Sequence, residues 1–350
     1  MYTRIFRPLL FLMQPETVHR LIVMLLKFFF RLPLVGPLMG KFYQVKHDAL
    51  KTEFLGMSFD NPVGLAAGFD KNAEVYNEFS RFGFSFVEIG TVTPEPQPGN
   101  PKPRSFRIPK DKGLINRMGF NNKGVEYAAH RLMKHAPHII VGGNIGKNTA
   151  TSNEQAVEDY VAAFNAIYEA VDYLVINLSC PNIKNLNELQ DKAKTIQIIN
   201  ELDKQRSLKE ERKPILLKIS PDLSWSEIDD AMDIFYRTGI DGLIATNTTV
   251  KRDHLNTSAD SIQAIGNGGL SGAPITARST EIIRYISRQS KEEIPIIGVG
   301  GIMTPEDALE KLEAGATLIQ VYTGFIYNGP GFVKEINKAI RKQRVSRKSS

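Results

Sequence analysis

Eight short, nearly continuous apolar runs, each followed by a helical stretch, constrain this 350-residue chain more than any other feature. The runs span residues 63–69, 86–91, 139–145, 173–178, 215–219, 242–246, 296–299 and 318–322. A strand that is apolar throughout has to be covered on both faces, the condition of a parallel sheet. Helical patterns follow at 153–170, 195–204, 225–238, 280–290 and 305–314. Eight such units predict a closed barrel, a single (β/α)8 TIM barrel of class α/β. The interval 93–123 is longer, irregular and rich in Pro and Gly, as functional loops are. The barrel is assigned to residues 47–340, and the basic, Ser-rich residues 341–350 to a frayed tail.

Residues 1–46 stand apart. Leu21-Ile22-Val23-Met24-Leu25-Leu26 is followed by Lys27, by Phe28-Phe29-Phe30, and by Arg31. A span needs ~20 apolar residues, and this run is interrupted and too short. No small-residue cleavage site follows, which argues against a secretory signal. Pro15 and Glu16 suit the first turn of a helix, and Pro33 would end it. Residues 2–13 read as a shorter helix, with Arg4 and Arg7 beside Ile5, Phe6, Leu9, Leu10 and Phe11. Seven basic residues lie in this segment against one acid, Glu16. Two basic, apolar-faced helices either lie in a membrane interface or pack on the barrel as ordinary amphipathic helices. The pattern alone leaves both open.

Composition narrows the partners. The chain is 42% hydrophobic and 23% charged, enough for a full core and unlike a disordered chain. A net charge of +6 suits phosphates, small acids or an acidic membrane surface. No zinc knuckle, RNP-type segment or basic recognition helix is found, so no nucleic-acid partner is expected. No metal site is expected either. One cysteine, Cys180, excludes a disulfide framework and points to a reducing compartment.

Polar residues and glycines gather where the strands end. They read Ala66-Ala67-Gly68-Phe69-Asp70-Lys71, Gly90-Thr91-Val92-Thr93, Gly143-Asn144-Ile145-Gly146 and Asn177-Leu178-Ser179-Cys180-Pro181-Asn182. They continue with Leu217-Lys218-Ile219-Ser220, Thr246-Asn247-Thr248-Thr249, Gly298-Val299-Gly300-Gly301 and Tyr322-Thr323-Gly324. Barrel enzymes place their sites on this face. One such segment makes only a turn; eight in register make an enzyme. The glycines after the seventh and eighth runs suit a phosphate-bearing ligand, and Gly269-Leu270-Ser271-Gly272 adds a third flexible loop. Lys71 and Lys218 either face a negative group or snorkel at the rim. The amides of Asn116, Asn144, Asn177, Asn182 and Asn247 suit a flat ligand with alternating carbonyl and N–H groups. A thiol at Cys180, among polar residues, suits a proton acceptor.

Together these segments resemble dihydroorotate dehydrogenases, specifically the membrane-linked, quinone-dependent class. The matching stretches are 66–71, 90–107, 116–122, 144–147, 177–182, 218–223, 245–249, 268–272, 298–302 and 322–325, in that order along nearly the whole chain. The resemblance implies FMN as cofactor, and dihydroorotate oxidised to orotate in pyrimidine biosynthesis. It implies flavin contacts at Ala67, Gly68, Thr91, Asn144, Asn177, Lys218, Thr246, Gly272, Gly301, Tyr322 and Thr323. It implies orotate contacts at Lys71, Asn116, Gly119, Phe120, Asn177, Asn182, Asn247 and Thr248. The catalytic base falls at Cys180, and Lys218 would stabilise negative charge on the reduced ring. Residues 1–46 resemble the two-helix microdomain through which a membrane quinone reaches the flavin, with His19 and Arg107 near the quinone head.

Two departures from the family pattern bear on the chemistry. Quinone-linked members commonly carry Ser at the base position, whereas soluble members carry Cys; this chain has Cys180. The loop 183–187 also differs from the usual loop after the base. The rival reading is therefore a soluble-type enzyme that uses fumarate or a nicotinamide-linked acceptor. A tRNA-modifying flavin barrel would need a basic RNA-binding domain, which is not seen, and eight aligned polar strand ends oppose a non-catalytic membrane module. The expected state is a monomer, peripheral to the cytoplasmic face of a bacterial membrane, because no Arg- and Ser-rich presequence is present.

Overall fold

The computed structural model describes residues 2–135, 137–178 and 192–348. Its strands are β1 (Thr52–Phe54), β2 (Met57–Phe59), β3 (Val63–Leu65), β4 (Phe86–Val92), β5 (Ser105–Ile108), β6 (Gly113–Asn116), β7 (Ile140–Ile145), β8 (Tyr173–Asn177), β9 (Ile215–Ile219), β10 (Gly242–Ala245), β11 (Gly269–Gly272), β12 (Ile296–Val299) and β13 (Leu318–Val321). Its helices are α1 (Arg7–Phe11), α2 (Pro15–Phe29), α3 (Val35–Tyr43), α4 (Tyr76–Phe79), α5 (Val125–Lys134), α6 (Ala156–Ile167), α7 (Lys192–Arg206), α8 (Trp225–Arg237), α9 (Ala259–Ile265), α10 (Thr276–Gln289), α11 (Pro305–Glu313), α12 (Thr323–Asn328) and α13 (Phe332–Lys348).

Strands β3, β4, β7, β8, β9, β10, β12 and β13 close into a parallel barrel in that order, so the eight apolar runs are the eight staves. Four runs extend one to four residues past the strand proper, because there the chain leaves the strand for the site. The barrel is packed solid below. Phe54 and Phe59 of the β1–β2 hairpin plug its lower end against Phe86, Tyr173, Leu216, Ile244 and Leu318. Gly64 and Gly142 make room: a Cβ there would lie 2.3 Å from the Phe86 ring and 2.2 Å from that of Tyr173. With the lower end of the barrel axis filled, the axis opens only at the top, where barrel enzymes place their sites.

Three features differ from the sequence expectations. Residues 269–272 are not a loop; β11 pairs with β6, and β6 with β5, as an antiparallel sheet over the barrel mouth. The irregular interval 93–123 supplies two of those strands. Residues 341–348 continue α13 instead of fraying. The anchor is Arg344, which donates to the carbonyls of Ala49 and Leu50 at 3.1 and 3.2 Å.

The N-terminal segment holds three helices rather than two, since α3 was hidden by Gly36, Pro37 and Gly40, and the first begins as a π-helical turn over Tyr2–Phe6. These helices dock through named pairs. Glu16 accepts from Arg104 at 2.9 and 3.1 Å, Lys27 pairs with Glu74 at 2.8 Å, and Tyr2 donates to the Ile326 carbonyl at 2.7 Å. Burial disfavours ionised Glu16, but the hydrogen bonds and charge of Arg104, with Lys102, outweigh it and hold the carboxyl below its ordinary value. A depressed acid stabilises docking above its unfolded pKa of about 4.3, and that contribution is lost as pH falls through the lower folded value. The protection of α2 amides against hydrogen exchange, each rate taken relative to the intrinsic rate at that pH, is therefore expected to fall between about pH 5 and pH 3, the range around those pKa values. Glu16→Gln should flatten this response; an unaltered response in the variant would refute the assignment.

Candidate active site

The barrel mouth opens into a cavity of about 1170 Å³ that runs from the strand ends to the inner faces of α1 and α2. Ala67, Gly68, Thr91, Asn177, Lys218, Thr246, Gly272, Gly301, Tyr322 and Thr323 all line it. So do Lys71, Asn116, Gly119, Phe120, Asn247 and Thr248, and at the outer end His19 and Arg107. Residues dispersed over most of the chain thus converge on one space. Asn144 does not line it; it is fully buried behind Thr91, whose hydroxyl donates to its Oδ1. Cys180 and Asn182 lie outside the described residues.

Each end of the cavity has its own chemistry. On the floor, Lys218 of β9 is 3.3 Å from the carboxylate of Glu88 on β4. The negative group expected opposite this lysine is therefore, in part, a protein carboxylate. Glu88 went unnoticed in the sequence, although a lone acid in the run Phe86-Val87-Glu88-Ile89 is a signal, because a charge inside a two-sided apolar strand must be paired. Gln320 of β13, also missed, donates to the same carboxylate at 2.6 Å. On the roof, Lys71 donates to Asn121 Oδ1 at 2.6 Å. The carbonyls of Gly119 and Phe120 accept from Gln97 Nε2 at 3.1 and 3.2 Å, which fixes the turn carrying both residues. Asn116, at the end of β6, reaches the Gly269 carbonyl at 3.4 Å and so ties the capping sheet to the site.

Gly272 at the end of β11, and Gly300 and Gly301 after the seventh barrel strand, have φ of +97°, +115° and +72°, a region closed to most other residues. Ser279 Oγ donates to the Gly300 carbonyl at 2.8 Å, and Lys311 Nζ donates to Ser279 at 2.6 Å. The donor set fits a flavin nucleotide. It offers a cation and neutral amides under a flat ring, and glycine turns at the phosphate position of barrel enzymes.

At the outer end, His19 Nε2–H donates to the Phe69 carbonyl at 2.7 Å, since a carbonyl can only accept. Burial lowers the His19 pKa, the Phe69 hydrogen bond opposes this, and the charge of Lys71 adds to the lowering. Arg107 donates to the Met13 carbonyl at 2.7 Å and stacks on the Phe11 ring at 4.4 Å, joining β5 to the N-terminal helices. Phe69, Phe79, Phe82 and Phe325 make a chain of edge-to-face and tilted ring contacts beside them. This end is apolar, while the floor is polar.

A family model described as dihydroorotate dehydrogenase matches residues 49–343. The chain belongs to the dihydroorotate dehydrogenase family. A curated relative from Christiangramia forsetii, named dihydroorotate dehydrogenase (quinone), is 52% identical over 340 residues, covering 97% of this chain and 98% of its own. Another of the same name, from Thermosynechococcus vestitus, is 47% identical over 86% of this chain and 83% of its own. Among solved structures, DHODH from Eimeria tenella in complex with ferulenol superposes with a TM-score of 0.84 at 37% identity, over 93% of this chain and 90% of its own. Family members are flavin-dependent dehydrogenases, and the match to the Christiangramia forsetii relative, at 97% of this chain, extends beyond residues 49–343.

Proposed function

We propose that this protein oxidises dihydroorotate to orotate with bound FMN and passes the electrons to a membrane quinone. The observation that carries the reading is the single cavity joining a polar barrel floor to an apolar mouth under α1 and α2. A soluble acceptor needs no apolar mouth, so this favours quinone over fumarate or a nicotinamide. FMN supplies a hydride acceptor that can afterwards release its electrons to the quinone.

The protein's own residues do the rest. Lys71, Asn116, Asn177, Asn247 and Thr248 orient the planar, anionic substrate through a cation and converging amides. Asn182 joins them by its place in the family pattern. Cys180 takes the proton from C5 as the hydride leaves C6, so the C–H bonds break and the ring double bond forms with charge balanced. Lys218, which lines the cavity floor, would favour the negative, reduced form of the ring. Gly272, Gly301, Tyr322 and Thr323 hold the phosphate end. His19 and Arg107 meet the quinone head at the apolar mouth. Turnover of dihydroorotate with a short-chain quinone as sole acceptor tests the reading; turnover with fumarate and none with quinone would overturn it.

The N-terminal helices also supply the membrane contact, as a peripheral surface on the anionic cytoplasmic leaflet. Among the described residues, no single helix is long and apolar enough to cross a membrane. Leu12, Leu34 and Phe42 are instead 84, 79 and 57% exposed, with Arg4, Arg20, Arg31 and Lys41 exposed around them. Burying such a side chain in lipid is worth about 1.5–3 kcal/mol. Leu12→Glu/Leu34→Glu/Phe42→Glu should lower partitioning into anionic vesicles by about 100-fold or more, each 1.4 kcal/mol being tenfold. Sedimentation with vesicles checks this, and unchanged partitioning would remove the lipid surface from the account. The protomer is taken as a monomer, to be checked by light scattering in detergent.

A further inference from the structure

Beneath the cavity floor lies a charge that does not line the cavity. Glu88 has no exposed surface and sits between Val87 and Ile89 in β4. Its Oε1 accepts from Asn144 Nδ2 at 2.7 Å and from Lys218 Nζ at 3.3 Å, and its Oε2 accepts from Gln320 Nε2 at 2.6 Å. Donors thus meet both oxygens, and none of the three contacts needs a proton from Glu88.

The arrangement fixes direction as well as charge. Because Nδ2 of Asn144 is committed to Glu88, its Oδ1 faces the other way and accepts from the Thr91 hydroxyl. Thr91 Oγ1, having donated, accepts from Asn177 Nδ2 at 2.9 Å. Asn177 Oδ1 then accepts from Asn247 Nδ2 at 3.3 Å, and Asn247 Oδ1 accepts from the Thr248 N–H at 2.8 Å. One buried acid thus determines which way successive polar groups point, from the floor to the substrate end. Thr91, Asn177, Asn247 and Thr248 all line the cavity.

We propose that Glu88 is a positioning residue that holds Lys218 at the cavity floor, orients the Asn144–Thr91–Asn177–Asn247 chain, and lowers the midpoint potential of the flavin. The proposal rests on the reading that FMN lies over Lys218. Reduction puts negative charge on the ring, and a carboxylate in a dry interior disfavours it over a longer range than in water. The same carboxylate offsets the ammonium of Lys218, so the floor attracts electrons less strongly than an unpaired lysine would. The electrons then pass on to the acceptor more readily.

The test is the two-electron midpoint potential of the yellow holoenzyme, with FMN in excess, for wild type, Glu88→Gln and Glu88→Asp. Glutamine keeps the shape and loses the charge. It is accommodated because the Gln320 amide, which donates to Glu88 on one side and lies beside the Tyr173 hydroxyl on the other, can turn over. A flip of the Gln320 amide would present its oxygen to the new N–H2 group and turn its own N–H2 to the neighbouring Tyr173 hydroxyl, whose oxygen can accept it. Aspartate keeps the charge and changes the shape. Glu88→Gln is expected to raise the reduced-to-oxidised ratio at a given potential at least tenfold, an upward shift of about 30 mV for two electrons. Glu88→Asp is expected to stay within about threefold of wild type, under 15 mV by the same conversion. A wild-type potential in Glu88→Gln, or an equal shift in both variants, would overturn the proposal. Wild-type protein that purifies without flavin would overturn the FMN reading itself, a result distinguishable before any potential is measured.

Discussion

Cys180→Ala is expected to slow the bleaching of the flavin by dihydroorotate by about 10²–10⁴-fold, the usual contribution of a general base. The hydride cannot leave C6 productively unless the C5 proton has a destination, and among the residues of the family pattern only Cys180 supplies one. The loss should fall on the reductive half-reaction alone. Reoxidation of pre-reduced enzyme by quinone should keep its rate, because no C5 proton is involved. The pH dependence has a definite sign. A thiol accepts a proton only as thiolate, so wild-type bleaching should rise with pH through the thiol pKa, whose ordinary value is about 8.5. Cys180→Ser should lose that dependence. Stopped-flow absorbance from pH 6 to pH 10 checks both, on the order of the range around that value. An alanine variant with wild-type bleaching, or a serine variant with an unchanged rate and pH profile, would take the base away from this position.

Gly301→Ala should purify nearly colourless while keeping its fold. Gly301 has φ of +72°, and a Cβ there would lie 2.3 Å from Thr276 Oγ1, 2.4 Å from its Cα and 2.5 Å from its N. Two of those three atoms belong to the fixed chain at the start of α10, so no rotamer change relieves the contact. Either the 300–301 turn or the start of α10 has to move, and the hydrogen bond from Thr276 Oγ1 to the Gly301 carbonyl at 2.7 Å is lost with it. The left-handed backbone alone costs alanine about 1–2 kcal/mol. Displacing the turn at the phosphate position should weaken FMN binding by about 100-fold or more, close to 2.7 kcal/mol on the affinity scale. Gly56→Ala is the control. Its φ is +78°, but a Cβ there meets nothing within 4 Å, so it carries the backbone strain without the collision. Flavin content per protein, with far-UV circular dichroism, separates the two. Full flavin content in Gly301→Ala would show that the turn does not hold the cofactor.

The barrel was legible because its strands are apolar on both faces, so each stands out as an unbroken run. Ile215–Ile219 and Ile296–Val299 coincide with their sequence expectations for this reason. Other runs were drawn too long at their C-terminal ends. Leu65 is the last residue of β3, and Ala66 to Phe69, although Ala66 and Gly68 still donate to the Val321 and Gly90 carbonyls, turn out of the strand to line the cavity. Gly269–Gly272 was illegible as a strand. Its glycines signal a turn, and the pairing that makes it a strand comes from Gly113–Asn116, far away in sequence. The site was legible wherever a polar residue ended a strand and faced the mouth. Glu88 and Gln320 were not, because they point inward from mid-strand and meet Lys218 and Asn144 only when the barrel closes.

The proposed function requires one cavity to serve two electron transfers, from a polar substrate under the capping sheet to an apolar acceptor at the mouth. The most direct measurement follows flavin absorbance anaerobically while dihydroorotate is added and then, after bleaching, either a short-chain quinone or fumarate. Bleaching by dihydroorotate with recolouring by quinone and not by fumarate is the predicted result. Recolouring by fumarate alone, or no bleaching at all, would contradict it.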